Sequence, residues 1–336
     1  MLRPHAVRTP RIGPLTNRSA RRLAAPTAVV RTAAVCGFAA SLAAALVGRP
    51  LLAQAPAEHA PSRNGSDSAG DGHASTSPFT ISWKDNMLRI RGRQIPGGEL
   101  EVWYLEAYCR PGSTDRDWRE TVIGHETKLM AADPNGKWLK LRCHLKDGVV
   151  VDHVIRAVED GVTFHVTAHN PTDRESQAHW AQPCIRVAKF TGADQQTYLK
   201  KSFIFVDGKL TRMPTPKWAT KARYVPGQVW CPRGVPRTDV NPRPLSDLVP
   251  SNGLIGCFSK DESMIMATAW EPYQELFQGV IVCLHSDFRI GGLKPGETKH
   301  IRGKIYIVPN DVDALLKRYA RDFPEHVRKT SGSSKQ

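Results

Sequence analysis

Residues 137–187 constrain the fold more than any other stretch of this chain. Leu139, Leu141, Cys143 and Leu145 alternate with Lys140, Arg142 and His144. A period of two places apolar side chains on one face of an extended strand and charged ones on the other, whereas a helix would space them three and four apart. Lys146-Asp147-Gly148 then supplies a tight turn, a second strand runs over 149–158, and Glu159-Asp160-Gly161 turns the chain again. The next strand, 162–169, sets Phe164, Val166 and Ala168 on one face and His165, Thr167 and His169 on the other. Short turns of this kind join antiparallel neighbours, so the segment predicts an antiparallel meander. Similar apolar or alternating runs recur at 202–206, 254–258, 263–270, 279–285 and 299–308. The expected class is therefore all-β, a large antiparallel β-sandwich formed by one domain over residues 79–326.

Two segments depart from that pattern. Residues 213–250 hold eight prolines, which cannot donate to a sheet ladder, so a long ordered loop crossing one face is expected there. Near the C-terminus, Val312, Leu315, Leu316, Tyr319 and Phe323 recur at helical spacing after Asp311, a capping residue, and before Pro324. That spacing predicts a helix over 311–323 whose apolar stripe packs on a sheet edge.

Charge divides unevenly along the 336 residues. The formal net charge is +15, but residues 1–55 contain eight arginines and no acid, leaving +7 for the remainder. An Arg-rich start, an apolar run over 33–47 and the small residues Ala53-Gln54-Ala55 form a secretory signal pattern with cleavage after Ala55. The alternative is an uncleaved N-terminal anchor, which would be the protein's sole association with a membrane. No dense basic stripe remains in the β-rich part, and a nucleic-acid partner is not expected. Residues 56–78, nearly devoid of large apolar side chains, read as a flexible linker, and the polar 327–336 as a disordered tail. The expected location is secreted, periplasmic or in the cell envelope. Six cysteines follow the leader: Cys109, Cys143, Cys184, Cys231, Cys257 and Cys283. An oxidising compartment permits disulfides among them, and buried free thiols are the alternative. None shows the CxxC or Cys/His spacing of structural zinc, and His165 and His169, four apart on a strand, lie about 13 Å from each other. No metal and no cofactor are expected.

Dinucleotide, P-loop, zincin and nucleophile-elbow motifs are absent. What remains is histidine, carboxylate and tryptophan around turns. His179, Trp180, Gln182 and Arg186 crowd before and along a strand; an aromatic ring beside polar groups suits a sugar, whose C–H faces stack while its hydroxyls hydrogen-bond. Residues 269–297 hold Trp270, Glu271, Tyr273, Glu275, His285, Asp287 and Arg289, where a histidine at a sheet rim can exchange protons near neutral pH. A third segment, 99–120, interleaves Trp103, Tyr104, Glu106, Tyr108, Trp118 and Arg119. It reads first as strand packing with solvated charges.

Residues 163–180 and 280–307, the latter with the turn Leu293-Lys294-Pro295-Gly296-Glu297, resemble the galactose mutarotase-like, or aldose 1-epimerase-type, β-supersandwich family. The resemblance covers much of 79–308 and places His179 at the family's catalytic histidine. It implies a supersandwich fold and a carbohydrate ligand. It also implies acid-base chemistry in which one group takes the anomeric hydroxyl proton while another protonates the ring oxygen. The family's basic glutamate corresponds here to His285, a departure that leaves three readings. His179 and His285 act together with Glu271; another carboxylate such as Glu275 or Asp287 substitutes; or the protein is a non-catalytic glycan-binding or structural envelope module. On the first reading Trp180, Gln182, Arg186, Trp270, Asp287 and Arg289 line the substrate cleft.

Overall fold

The computed structural model describes residues 77–326. The signal pattern at 1–55, most of the linker at 56–78 and the tail at 327–336 lie outside the described residues. In chain order the strands are β1 (Thr80–Lys84), β2 (Met87–Arg91), β3 (Glu99–Cys109), β4 (Val122–Ile123), β5 (His125–Ala132), β6 (Trp138–Leu145), β7 (Val150–Val158), β8 (Gly161–His169), β9 (Trp180–Arg186), β10 (Ser202–Val206), β11 (Lys209–Arg212), β12 (Gln228–Trp230), β13 (Ile255–Phe258), β14 (Met264–Glu271), β15 (Tyr273–Gln278), β16 (Cys283–Arg289) and β17 (Thr298–Pro309). Two four-residue helices, α1 (Trp118–Thr121) and α2 (Ala188–Thr191), precede the longer α3 (Val312–Asp322). Among the described residues no helix is long and apolar enough to cross a membrane.

The strands form two antiparallel sheets. The first has the order β1-β2-β3-β9-β16-β15-β12, with β4 beside β3, and the second the order β11-β10-β13-β14-β17-β8-β7-β6-β5. The meander read from residues 137–187 is β6-β7-β8, paired in the expected register. Gly161 begins β8 with φ +146°, and a Cβ there would lie 1.9 Å from the Ile305 carbonyl oxygen, so the turn needs glycine to let β17 approach. Apolar residues from both inner faces form one interior cluster, including Tyr104, Ile155, Phe164, Trp270, Leu284 and Phe288. Tyr104 stacks on Phe164 with centroids 5.3 Å apart. At the centre of this interior is a polar side chain, His153 of β7. Its Nδ1 meets the Tyr104 hydroxyl at 2.8 Å and its Nε2 the Tyr108 hydroxyl at 3.0 Å. Every ring nitrogen is thereby satisfied, as burial of a polar group requires.

Three expectations need adjustment. The apolar run 279–285 is not one strand: Gly279 to Val282 turn between β15 and β16, closed by the Gly279 N–H to the Cys283 carbonyl at 2.9 Å, with Val282 at φ +56°. The proline-rich 213–250 does cross a face, but it contributes β12, which pairs with β15 at the sheet edge where prolines are tolerated. Helix α3 packs on a face of the second sheet rather than its edge. Leu315, Tyr319 and Phe323 bury against Phe203, Phe205, Ile265 and Val308. Its cap is the predicted one, Asp311 accepting from the Ala314 N–H at 2.9 Å.

Candidate functional site

The outer face of the first sheet carries the polar side chains. Along β9 and β16 the core takes every second residue, so Gln182, Cys184 and Arg186 on one strand and Cys283, His285 and Asp287 on the next point away from the interior. Strand β3 adds Trp103 and Glu106, and β15 adds Glu275 and Phe277. The proline-rich segment supplies the facing wall with Tyr224, Asn241, Pro242 and Arg243. Together with Trp118 these residues, apart from Arg186, Glu275 and Asp287, line a cleft of about 310 Å³.

A row of hydrogen bonds joins floor and wall. Gln182 Nε2 donates to Glu106 Oε2 at 3.1 Å, and Asn241 Nδ2 donates to Gln182 Oε1 at 3.2 Å. The Asn241 backbone N–H reaches Glu275 Oε2 at 2.9 Å. Glu275 faces Asp287 in the β15–β16 register, and both are fully buried. Burial lifts the Glu275 carboxyl to about 8, and it lifts Asp287, which also faces the Glu275 charge, well above the carboxylate range. Among the described residues the Asp287 oxygens, Glu275 Oε1 and His285 Nδ1 have no hydrogen-bond partner. His285 Nδ1 stands 3.8 Å from Asp287 Oδ1.

On its other side His285 Nε2 meets Cys283 Sγ at 3.3 Å. A hydrogen bond from Cys184, with the His285 charge assisting against burial, brings Cys283 down to about 4. Cys184 is correspondingly held far above the usual thiol value by its contact with Cys283 and by burial. Burial works against the charged form of His285, and Cys283 together with Glu106 outweighs it, so its value rises. Burial also lifts Glu106. All six cysteines among the described residues are free and buried, which selects the buried-thiol alternative.

The residues singled out from sequence fall in different places. Gln182 and His285 line the cleft, with Asp287 beneath it. Arg186 is at the end of β9, opposite Cys283 and Glu101, with its Nε unpartnered. Trp180 is buried behind the cleft: its Nε1 donates to Ser113 Oγ at 3.2 Å and its ring supports Trp118 at 6.3 Å. Trp270 does not line the cleft, contrary to expectation. It belongs to β14 of the other sheet and packs between Phe164 and Phe288, centroids 5.1 and 4.7 Å away. Gly303 on the paired strand leaves room for the indole, since a Cβ there would lie 2.3 Å from the ring.

His179 is not beside His285. It precedes β9, and its carbonyl accepts from the Ile290 and Gly291 N–H groups, five residues beyond His285 and so about 16 Å along the strand. There it joins a separate cluster centred on Asp239. His179 Nδ1 and Arg289 Nη1 approach Asp239 Oδ2 at 3.4 and 3.2 Å, while Gln274 Oε1 accepts from Arg289 Nη1 at 2.5 Å. Glu271 bonds His326, which bonds Tyr319. Glu271, Arg289 and His326 line a second cavity of about 680 Å³ with Tyr273 and Asp247. These charged groups satisfy one another, whereas those of the smaller cleft retain free hydrogen-bonding capacity. The smaller cleft is therefore the better candidate.

Glu106, Cys184, Cys283, Asn241 and Arg243 were not among the residues expected in the site. The available signal was parity: in both Trp180–Arg186 and Cys283–Arg289, polar or thiol side chains occupy alternate positions, and the positions between them are apolar except for Ser286.

No family model matches this sequence, and no curated protein matches it. Solved structures similar to it include a galactose mutarotase-like protein from Lactobacillus casei ATCC 334, 8% identical over 68% of this chain and 99% of that one, TM-score 0.37. Another is a galactose mutarotase-like protein from Clostridium acetobutylicum, 10% identical over 67% and 86%, TM-score 0.35. A third is the Slr1438 protein from Synechocystis sp. PCC 6803, 9% identical over 70% and 98%, TM-score 0.38.

Proposed function

We propose that the cleft on the outer face of the first sheet binds a single sugar ring and that Glu106 exchanges a proton with it. The observation carrying this reading is the hydrogen-bonded row Glu106–Gln182–Asn241 in one cleft with Trp103 and Trp118. Indole rings cover the C–H faces of a pyranose, and amide and carboxyl groups take its hydroxyls. A volume of about 310 Å³ is at the small end for ligand pockets and suits one ring rather than an oligosaccharide. His285, on the same floor, is the second proton-exchanging group. His179, about 16 Å away, serves the Asp239 cluster on this reading. The chemistry is anomeric proton exchange of the mutarotase or epimerase kind, carried out after export and removal of residues 1–55.

The test combines calorimetric titration of the full chain with a panel of monosaccharides and NMR exchange measurements between their anomers. Trp103→Ala is expected to weaken sugar binding about tenfold, the loss of one stacking face. Glu106→Gln is expected to keep binding and lose anomer exchange. Binding without exchange in the unaltered protein would favour the glycan-binding module instead. Absence of binding to every sugar would overturn the reading.

A further inference from the structure

We infer that Cys184, Cys283 and His285 form a binding site for a zinc-class divalent cation at the floor of the cleft, with three protein ligands and a fourth position open to the cleft. This does not rest on the carbohydrate reading: the donors and their spacing select the ion, whatever else occupies the cleft.

The first support is geometry. One ligand atom from each of the three residues is within 4.8 Å of the others, the one such cluster of His, Cys, Asp or Glu among the described residues. Tetrahedral zinc with Zn–S about 2.3 Å and Zn–N about 2.0 Å places a sulfur and a nitrogen about 3.5 Å apart and two sulfurs about 3.8 Å apart. Cys283 Sγ and His285 Nε2 are already 3.3 Å apart, so one ion needs only small side-chain adjustments. Spacing along the chain hides the site, since Cys283 and His285 alternate on β16 and the third ligand comes from the neighbouring antiparallel strand β9.

The second support is what surrounds the cluster. His285 Nδ1 is buried and unpartnered, with Asp287 Oδ1 3.8 Å behind it. A histidine that ligates a metal through one nitrogen commonly directs the other at a carboxylate, which fixes the tautomer and raises the ligand's basicity. Asp287, whose oxygens have no partner in the described residues, stands where that carboxylate belongs. Two sulfurs and an imidazole are a soft donor set, which favours zinc over magnesium or calcium. A bound cation also compensates sulfur charge that burial otherwise penalises. On binding, the ion displaces to the solvent the thiol proton of Cys184 and the proton held between Cys283 Sγ and His285 Nε2, and no redox step is involved. It also occupies His285 Nε2, so the proton exchange proposed above for His285 belongs to the metal-free protein, and the two occupancies of the cleft floor exclude one another.

The experiment uses the full chain, reduced and stripped with a chelator, then titrated with Co²⁺ as a spectroscopic probe. Saturation at one equivalent, a thiolate-to-cobalt charge-transfer band, and loss of that band on adding Zn²⁺ are expected. Cys184→Ser and Cys283→Ser should each lower the band to about half, and Asp287→Asn should weaken affinity about 10- to 100-fold. Circular dichroism checks that each variant folds. If one does not, the unaltered protein decides: bound Zn²⁺ should protect Cys184 and Cys283 from alkylation, read by mass spectrometry, and leave Cys257 unaffected. No charge-transfer band, a band unchanged by either serine variant, or equal alkylation with and without Zn²⁺ would overturn the inference. So would a Cys184–Cys283 disulfide that, once reduced, yields thiols binding no Co²⁺.

Discussion

His153 gives the fold a measurable sensitivity to acid. The imidazole is fully enclosed, accepts or donates at both nitrogens to Tyr104 and Tyr108, and has Cys143 Sγ at 3.5 Å. Burial brings its pKa from the ordinary 6.5 to about 3. A folded value below the unfolded one means that the unfolded chain binds the extra proton. The stabilisation is thus complete above about pH 6.5 and declines as pH falls towards 3. Protonating the unfolded chain alone costs the native state about 2 kcal/mol by pH 5, and the full gap amounts to about 5 kcal/mol below pH 3. His153→Gln keeps a donor and an acceptor between the two tyrosines and removes the titration. Its own cost at pH 7 is about 1–3 kcal/mol, from imperfect hydrogen bonds in a buried site. Urea unfolding of both proteins at pH 7, 6 and 5 isolates the effect, because all other titrating groups are common to the pair. The stability advantage of the unaltered protein over the variant should shrink by about 2 kcal/mol between pH 7 and pH 5. Parallel pH profiles would refute the reasoning.

Trp270→Ala should cost about 3–5 kcal/mol in urea unfolding by emptying the space between Phe164 and Phe288, while sugar affinity at the cleft stays unchanged. A binding defect in a folded Trp270→Ala protein would return that residue to the site. Asp311→Ala should lower stability by about 1 kcal/mol through loss of the bond to the Ala314 N–H, and thermal unfolding monitored by circular dichroism reads it.

The parts of the fold that sequence foretold are those where periodicity has one interpretation. Alternation in β6-β7-β8 separates the two faces of a half-buried sheet, and helical spacing after Asp311 has no competing period. The run from Gly279 was ambiguous because Val280, Ile281 and Val282 are as apolar as a strand, and only a backbone turn at φ +56° on Val282 breaks it. The site was harder still. Trp103 and Trp270 are both tryptophans on strands, and which one lines the cleft depends on sheet order, a long-range property. Cys184 and Cys283 are 99 positions apart in sequence and meet because β9 and β16 are neighbours. His179 and His285 looked like partners by composition, yet strand register separates them. Glu106 read as a solvated strand charge until Gln182 and Asn241 were placed around it.

The cleft is built from two kinds of backbone, paired strand and irregular segment. Its floor belongs to central strands whose every ladder bond depends on a neighbour, so a change of backbone there disturbs the whole first sheet. Its wall, residues 213–250, has few such bonds; apart from β12 it is held by contacts such as Thr114 Oγ1 to the Arg237 and Val240 carbonyls at 2.9 and 3.1 Å and the Arg243 guanidinium over the Tyr224 ring. The two parts of the cleft therefore respond differently to substitution. If the cleft holds a ligand as proposed, substitutions at Tyr224, Pro242 and Arg243 of the wall are the changes that would alter its preference while leaving the strands of the floor as they are.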